Sequence, residues 1–460
     1  MKRTLFVVLT IVLVASMLLT ACGTKATPEP TKPVVAQPTT PKEPVKIDFW
    51  FAMSGSAGEA VQELVKRFNE SQKDVIVTAT YQGSYDDAIT KLKAGLQSKD
   101  VPAVTQMYDL GTRLLIDLKV VKPVQDFIDR DKYDVGDVEP AVRNYYSVDG
   151  KLYPMPFNSS NPVLYYNKDM FKAAGLDPEK APRTWAEVTE AARKLVVKDA
   201  SGKTVQYGCS FAIYGWFVEQ FIAVQGGYYV NNENGRVARA TEATFNGPEG
   251  VKLLEWWKSL NDEGICINVG RKTADTKKAF DSGVVAMTLD STAGVRDRID
   301  AAAGKFEVGV GFLPRSSEAD FQKSGTIIGG ASLWILNLRP EAEQEAAWKF
   351  VQFMNTADSQ AYWHTHTGYY PVNAKGYNHP DDIAWRAKYP QFQVAIDQLH
   401  AAPINNFTAG GLIGVFPQAR QTVEAAVEEY FAGGVTAKQA LDKAAASVTQ
   451  AILDYNDTVK

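Results

Sequence analysis

Apolar and polar positions alternate in short, regular runs after residue 45 of this 460-residue chain. These runs predict strands at residues 45–51, 75–81 and 103–108, and helices at 56–69 and 85–98. The β-α-β-α-β order predicts an α/β fold with a largely parallel first sheet. Ligands bind at the carboxyl ends of strands in such sheets, so the residues that follow the strands are candidate binding residues: the turn 52–56, Tyr85 and Asp109.

The remainder of the chain predicts a second set of elements. Its patterns predict strands at 163–167, 207–214, 284–289 and 331–336, and helices at 185–197, after the turn 245–251, and at 341–355, 416–432 and 437–455. No internal repeat is visible in the sequence. A chain of this length exceeds one ordinary hydrophobic core, which predicts two packed lobes.

The N-terminal segment differs in composition from the rest of the chain. Lys2 and Arg3 precede an apolar run at 5–19, and Leu19-Thr-Ala-Cys22 follows. A basic start, an apolar run and small residues predict a secretory signal peptide over residues 1–21. A cysteine directly after the small residues resembles the lipobox of bacterial lipoproteins, in which the sulfur receives a diacylglycerol. An uncleaved N-terminal membrane anchor is the alternative.

A linker is predicted at residues 22–45, which are rich in Thr, Pro and Lys. Such a segment cannot bury enough apolar area to offset its chain entropy. We therefore expect an extracytoplasmic folded body that is anchored to the cell membrane by a lipid at Cys22.

Composition and charge exclude some partners and leave others open. Hydrophobic residues make up 45% and charged residues 22% of the chain, as in ordinary soluble proteins. The net charge of −4 predicts no nucleic-acid partner, since such proteins usually have a basic surface. Besides Cys22, Cys209 and Cys266 either form a disulfide or are two separate buried thiols, and the sequence does not decide between them. Neither has the CxxC spacing of zinc or redox sites.

Motifs for catalysis are mostly absent, and we predict neither a cofactor nor a metal. There is no nucleophile elbow, zinc-protease motif or P-loop. His364 and His366 lack a third ligand nearby in sequence, so hydrogen bonding is the favoured interpretation. The 9 Trp, 20 Tyr and 21 Phe are more informative, because several lie beside turns, where rings can stack on sugar or polyol faces. Core packing is the alternative role for each ring.

Several stretches in a fixed order resemble one family. They are Phe49-Trp50-Phe51, Leu152-Tyr-Pro-Met-Pro-Phe157, residues 164–176, Pro182-Arg-Thr-Trp185, Phe245-Asn-Gly-Pro-Glu-Gly250 and residues 279–287. Together they resemble the extracytoplasmic solute-binding proteins of ABC importers, of the carbohydrate type that includes maltose-binding protein. Residues 83–87, 106–112, 156–160, 329–334 and 416–420 are most similar to the glycerol-3-phosphate-binding branch.

This resemblance implies a two-lobed periplasmic-binding-protein fold of type II, with a hinge between two lobes that each contain a mixed sheet flanked by helices. We expect lobe one at 46–155 plus 288–329 and lobe two at 156–287 plus 330–460, with the chain crossing near Pro156, Met287 and Gly330. It also implies a monomer that catalyses nothing, binds a solute between the lobes and delivers it to membrane permease subunits. A sensor that presents its ligand to a receptor is an alternative.

The resemblance also implies a set of ligand-binding residues. They are Tyr85, Asp109, Ser159 or Ser160, Trp216, Ser291, Gly330, and Tyr369 or Tyr370. Two positions depart from the branch, which usually has Glu at Asp109 and an Arg in the stretch that contains Leu412. A phosphate prefers a fork of cationic donors; Arg420 is the nearest substitute, and packing is its alternative role.

We therefore expect a neutral sugar or polyol as the ligand, with glycerol-3-phosphate or a glycerophosphodiester as the alternative. A membrane-tethered glycan hydrolase, with Asp109 and Glu219 as its carboxylate pair, is the candidate from a different functional class.

Overall fold

The computed structural model describes residues 43–459. The predicted signal peptide, Cys22 and nearly all of the predicted linker lie outside the described residues. Within residues 43–459, no helix combines the length and the apolar character that crossing a bilayer requires.

The strands form two main sheets and one small hairpin. They are β1 (Val45–Phe51), β2 (Val75–Tyr81), β3 (Val104–Tyr108), β4 (Val121–Lys122), β5 (Ser147–Val148), β6 (Lys151–Leu152), β7 (Met155–Ser160), β8 (Pro162–Asn167), β9 (Val197–Lys198), β10 (Thr204–Ser210), β11 (Val285–Ser291), β12 (Val308–Phe312) and β13 (Gly329–Leu336).

Helices pack on both sheets. They are α1 (Gly55–Ser71), α2 (Tyr85–Ser98), α3 (Thr112–Leu118), α4 (Val124–Asp131), α5 (Pro140–Tyr146), α6 (Lys168–Ala173), α7 (Trp185–Leu195), α8 (Gly215–Val224), α9 (Pro248–Asp262), α10 (Thr273–Asp281), α11 (Val295–Ala302), α12 (Asp320–Lys323), α13 (Glu341–Met354), α14 (Ala357–Thr367), α15 (Ala374–Tyr377), α16 (Pro380–Lys388), α17 (Gln391–His400), α18 (Phe416–Ala432) and α19 (Ala437–Thr458).

The first sheet has the strand order β2-β1-β3-β13-β4, and β7 also pairs with β13. Strand β1 is parallel to both β2 and β3, which confirms the parallel β-α-β-α-β start predicted from the sequence. The alternation in β1 buries Ile47, Phe49 and Phe51. The Phe49 ring lies 5.2 Å from that of Phe350 on α13, so burial of one strand face attaches a distant helix to this sheet. We call this sheet and the helices packed on it lobe one.

The second sheet has the order β12-β8-β11-β10-β9. Strands β10 and β11 are parallel, whereas β8 runs antiparallel to both β11 and β12, so this sheet is mixed as expected. Its helices share an aromatic core in which the indoles of Trp185 and Trp256 stack at 4.5 Å. We call this sheet and its helices lobe two.

Strand pairing differs from the expected division of the chain between the lobes. Strand β12, expected in lobe one, pairs with β8 in the second sheet, and β13, expected in lobe two, pairs with β3 in the first. The expected crossing at Met287 is also wrong, because β11 runs through this residue within the second sheet. The chain passes between sheets at Asn161, which joins β7 to β8, and again between β12 and β13. The sequence pattern predicts no strand at β12, and without this strand the segments on both sides are assigned to the wrong lobes.

Cys209 and Cys266, for which the sequence left two possibilities open, form a disulfide in the structure. Their Cα atoms are 4.5 Å apart, within the range that a disulfide spans. The bond ties β10 to the segment that follows α9, in the interior of lobe two.

Replacing both cysteines by alanine should destabilise lobe two. The bridge spans a sequence separation of 57 residues, so its loss should lower the free energy of unfolding by about 2–4 kcal/mol. Urea unfolding of Cys209→Ala/Cys266→Ala against Cys22→Ala, which retains the bridge, measures this loss. Equal unfolding midpoints, or two free thiols in the unreduced wild-type protein, would contradict the assignment.

Candidate functional site

The carboxyl ends of β2 and β3 place aromatic and acidic side chains between the lobes. Helix α2 begins at Tyr85, and its N-cap Ser84 accepts a hydrogen bond from the Asp87 amide, so Asp87 is used in capping, as its place at a helix start indicates. The Tyr85 ring stacks on Tyr108, the last residue of β3, with centroids 5.1 Å apart. The Tyr108 hydroxyl donates to Asp86 at 2.9 Å, which fixes the aromatic pair at the edge of the cleft.

The centre of the cleft is a buried charge triad formed by Asp109, Glu219 and Arg420. The Arg420 guanidinium donates to both carboxylate oxygens of Glu219, from Nε at 2.5 Å and from Nη2 at 2.9 Å. The same Nη2 lies 3.5 Å from Oδ2 of Asp109. These side chains are only 4–7% exposed, so the charges are compensated mainly by one another.

Each member of the triad comes from a different element. Asp109 opens the 3₁₀ turn Asp109–Gly111 directly after β3, in lobe one. Glu219 lies on α8 and Arg420 on α18, two helices of lobe two that pack together. The Arg420–Asp109 ion pair therefore joins the lobes across the cleft. A second contact, from the Ser56 hydroxyl to Asp297 at 3.0 Å, also links α1 to α11.

Burial dominates the electrostatics of the triad. It raises the pKa of Asp109 to about 6, an increase that Arg420 opposes and the negative charge of Glu219 reinforces. Burial also raises the pKa of Glu219, again against the effect of Arg420. Two carboxylates and one guanidinium give the triad one net negative charge when all are ionised, so protonation of Asp109 would neutralise it.

Strand β7 brings polar groups to the same cleft. Asn158 accepts a hydrogen bond from Gln106 Nε2 at 2.8 Å and donates to the Tyr85 hydroxyl at 3.1 Å. Since alternate residues of a strand share a face, Ser160 lies on the face of Asn158 and Ser159 on the other. The backbone of Ser159 instead forms an isolated antiparallel β-bridge with Tyr370, which is fully buried in the core of lobe one. The strand geometry thus favours Ser160 over Ser159.

The same geometry separates Tyr369 from Tyr370. The Tyr369 ring stacks on Trp363 with centroids 5.5 Å apart, and its hydroxyl interacts with that of Tyr85. Both tyrosines pack in the core of lobe one, and the interaction with Tyr85 is what connects Tyr369 to the cleft residues.

Trp216 and the start of β13 form another wall. A Cβ on Gly329 would lie 2.5 Å from the indole ring, so only glycine permits this close approach. The neighbouring Gly330 has φ +104°, and a side chain there would collide with the Asn158 carbonyl. The Trp216 Nε1 is buried and has no hydrogen-bond partner among the described residues. A buried donor of this kind suits a bound hydroxyl group.

Ser291, His364 and His366 each have a hydrogen-bond partner within the fold. The Ser291 hydroxyl accepts the Ala293 amide at 3.1 Å and caps the turn Thr292–Gly294. His364 bonds through Nδ1 to the buried Asp382, and His366 to the Tyr362 carbonyl. No group of three potential metal-ligating side chains occurs within residues 43–459.

Sequence reasoning missed three groups of the site. Asn158 and Gln106 lie inside stretches that were used only for the resemblance, and Tyr214, whose ring centroid is 5.7 Å from the Arg420 guanidinium, was not singled out. Glu219 was considered only as half of a hydrolytic pair. The structure instead shows Glu219 and Asp109 interacting with one guanidinium, an arrangement that compensates charge between them.

A cleft between two α/β lobes, with both lobes supplying polar groups and aromatic rings, defines a solute-binding protein. Residues 63–393 match the family described as bacterial extracellular solute-binding protein. The chain belongs to this family. It is a solute-binding protein of an ABC import system and not an enzyme.

Individual relatives agree with this assignment. The sn-glycerol-3-phosphate-binding periplasmic protein UgpB of Escherichia coli K12 is 35% identical over 419 residues, covering 90% of this chain and 94% of the relative. The structure of UgpB from Mycobacterium tuberculosis with glycerophosphocholine superposes with a TM-score of 0.75 at 23% identity, covering 90% and 99% of the chains. A Thermotoga lettingae solute-binding protein bound with α-D-tagatose gives 0.72 at 20% identity, covering 88% and 99%. These likenesses confirm the two-lobed α/β fold.

Asp109→Asn should change how stability depends on pH. The pKa of Asp109 is about 6 in the folded protein and 3.8 in its ordinary state, so the folded state binds more protons between these values. As the pH rises through this window, the stability gained from protonated Asp109 is therefore lost, and the free energy of unfolding decreases by at most about 3 kcal/mol. When the pH is raised from about 4.5 to about 7.5, the free energy of unfolding measured in urea should decrease less for Asp109→Asn than for wild type.

The exposed Asp129→Asn on α4 is the matched control and should retain the wild-type decrease. Identical decreases in wild type and Asp109→Asn would contradict the burial of an ionisable Asp109 in the closed cleft.

Proposed function

We propose that this protein captures a neutral sugar or related polyol between its lobes and delivers it to membrane permease subunits. The observation that supports a neutral ligand is the pairing of Arg420 with two carboxylates. The guanidinium is already compensated by Glu219 and Asp109, so it is not free to bind an anionic group at the triad. Carboxylate oxygens are strong acceptors for the hydroxyl groups of a polyol.

The aromatic groups support the same ligand class. Tyr85 and Tyr108 stack at one side of the cleft, and Trp216 on the other presents a buried N–H donor without a partner among the described residues. An apolar ring face beside a few fixed polar groups is the usual composition of a small-molecule site. We propose that Tyr85, Asp109, Ser160, Trp216, Gly330, Tyr369 and Arg420 contact the solute; Ser159, Ser291 and Tyr370 have less support.

Glycerol-3-phosphate or a glycerophosphodiester is the second candidate. The observation that favours it is the 35% identity to UgpB of Escherichia coli, which is described as sn-glycerol-3-phosphate-binding. Against it, the family resemblance implies an arginine in the stretch that contains Leu412, and this chain has none at residues 411–414. A phosphate on Arg420 would have to displace Glu219 or Asp109, or bind when Asp109 is protonated.

We also propose that the chain acts as a monomer anchored outside the cytoplasm by a lipid at Cys22. The basic, apolar and small-residue pattern of residues 1–22 supports this anchor. The linker would keep the receptor near its permease and thereby raise its effective concentration there. Delivery to a receptor for sensing is the alternative role of the same clamp.

Isothermal titration calorimetry distinguishes the two ligand classes. We expect saturable binding of at least one of maltose, tagatose or ribitol, with a dissociation constant of about 1 μM or below, and no binding of sn-glycerol-3-phosphate or glycerophosphocholine that Trp216→Leu weakens. Trp216→Leu should weaken sugar binding at least about tenfold, because it removes both the ring and the unpartnered donor. Trp385→Leu, on α16 away from the triad, is the matched control. Tight glycerol-3-phosphate binding without a sugar response would overturn the first choice.

Cys22→Ser should release the protein from the membrane without affecting its ligand. Two acyl chains hold a protein firmly, and without them the folded body has no anchor. Fractionation of cells should find the variant in the soluble extracytoplasmic fraction, with unchanged calorimetric affinity. Retention in the membrane would contradict lipid anchoring, and loss of binding would contradict an independent tether.

A further inference from the structure

A further pocket lies between the lobes, and none of the triad residues lines it. Its volume is about 530 Å³. Lobe one contributes Arg113 and residues 147–150, and lobe two contributes residues 235–239 and Leu412. Tyr145 lies against Arg236 of this pocket: its carbonyl accepts a hydrogen bond from the Arg236 guanidinium, which also lies 4.9 Å from its ring centroid. We call this cavity the arginine pocket.

Two of its three arginines share one carboxylate. Arg113 and Arg239 form ion pairs with the same Oδ1 atom of Asp117, at 2.7 and 2.9 Å. The Asp117 side chain is 5% exposed and also accepts the Tyr455 hydroxyl at 2.9 Å. One carboxylate cannot neutralise two guanidinium groups, so this cluster keeps a positive charge.

Arg236, the third arginine, donates only to backbone carbonyls among the described residues. Its Nε bonds to Gly410 at 3.0 Å and its Nη1 to Tyr145 at 2.8 Å, and its Nη2 donates to Ala409. Burial without a carboxylate lowers the pKa of Arg236 to about 10. Asp149 is the acidic residue of the described lining. Together with Asp117 it gives two carboxylates for the three guanidinium groups.

A strained turn places Arg236 and Arg239 here. Asn232, Glu233 and Asn234 have φ of 53°, 52° and 64°, and Gly235 follows with 73°. Each non-glycine residue in this region costs about 1–2 kcal/mol. The turn is held by Asn234, which accepts the Tyr229 amide at 2.7 Å and donates to the Asn406 carbonyl at 2.8 Å. Strain of this kind typically occurs where a precise geometry has a function.

We propose that the arginine pocket is a second binding site, for a phosphate group, either free or on a small ester. Each guanidinium has five N–H donors in a planar fork. Three of those of Arg236 are used by carbonyls, and two of those of Arg113 by Asp117. A phosphate would accept the remaining donors and compensate the excess charge. Since both lobes line the pocket, the anion would favour the closed state, and it would therefore bind cooperatively with the solute at the triad.

Inorganic phosphate is the probe for this site. Thermal unfolding of the full-length protein, at matched ionic strength in phosphate or chloride, should show a saturable rise in Tm with phosphate only. Arg236→Gln should weaken the apparent phosphate affinity at least about tenfold, since it removes a charge-assisted donor. Arg239→Gln, which leaves Asp117 paired with Arg113, should act in the same direction and serves if Arg236→Gln fails to fold.

Controls separate this site from the triad. Arg271→Gln, which removes an arginine paired with Glu428 on the surface of lobe two, should retain the phosphate effect. Asp109→Asn, which removes one of the two carboxylates beside Arg420, should not strengthen the apparent phosphate affinity. A phosphate effect that is enhanced by Asp109→Asn and unchanged by Arg236→Gln would place the anion at the triad and overturn the proposal, as would the absence of any phosphate-specific effect.

A second titration distinguishes free phosphate from an ester. If an ester binds here, sn-glycerol-3-phosphate should compete with inorganic phosphate, and Arg236→Gln should weaken both. Without competition, free phosphate is the ligand. Sugar calorimetry on the same preparation reports on the main cleft separately, so failure of sugar binding would leave the phosphate result standing.

Discussion

The guanidinium of Arg420, buried between Glu219 and Asp109, is the interaction on which the closed cleft depends. A charge removed from water must be compensated by nearby groups, and the three side chains come from the end of β3 and from two helices of the other sheet. The ion pair can therefore form only when the lobes are together. The three charged groups stay within ion-pairing distance only if α8, α18 and the turn after β3 keep their relative positions.

The same constraint determines which solutes the cleft can accept. A ligand favours the closed state only to the extent that it binds this state better than the open one. A neutral polyol adds hydroxyl donors to carboxylates that already have excess acceptor capacity. A phosphate has to compete with Glu219 for the guanidinium. The arginine pocket differs because its guanidinium groups exceed its carboxylates. The lobe interface thus contains one region with excess negative charge and one with excess positive charge.

Local chemistry was predictable from the sequence, and pairing between distant segments was not. The β-α-β-α-β order predicted the parallel start of the first sheet, and it placed Tyr85 and Asp109 after the carboxyl ends of β2 and β3. The pairing of β12 with β8 and of β13 with β3 depends on hydrogen bonds between distant segments, which periodicity does not encode. Arg420 was identified through the family resemblance. That Glu219 is its partner could not be predicted, because the pair depends on the packing of α8 against α18. The left-handed turn at Asn232–Asn234 has no sequence signal beyond its asparagines.

A crystal structure of the protein with its tightest-binding solute tests the central claim most directly. We expect solute hydroxyls within hydrogen-bonding distance of Asp109, with Arg420 still paired to Glu219 and the Trp216 Nε1 donating to the solute. A phosphate group on Arg420, with Glu219 or Asp109 displaced from the guanidinium, would contradict the claim that this cleft selects a neutral ligand.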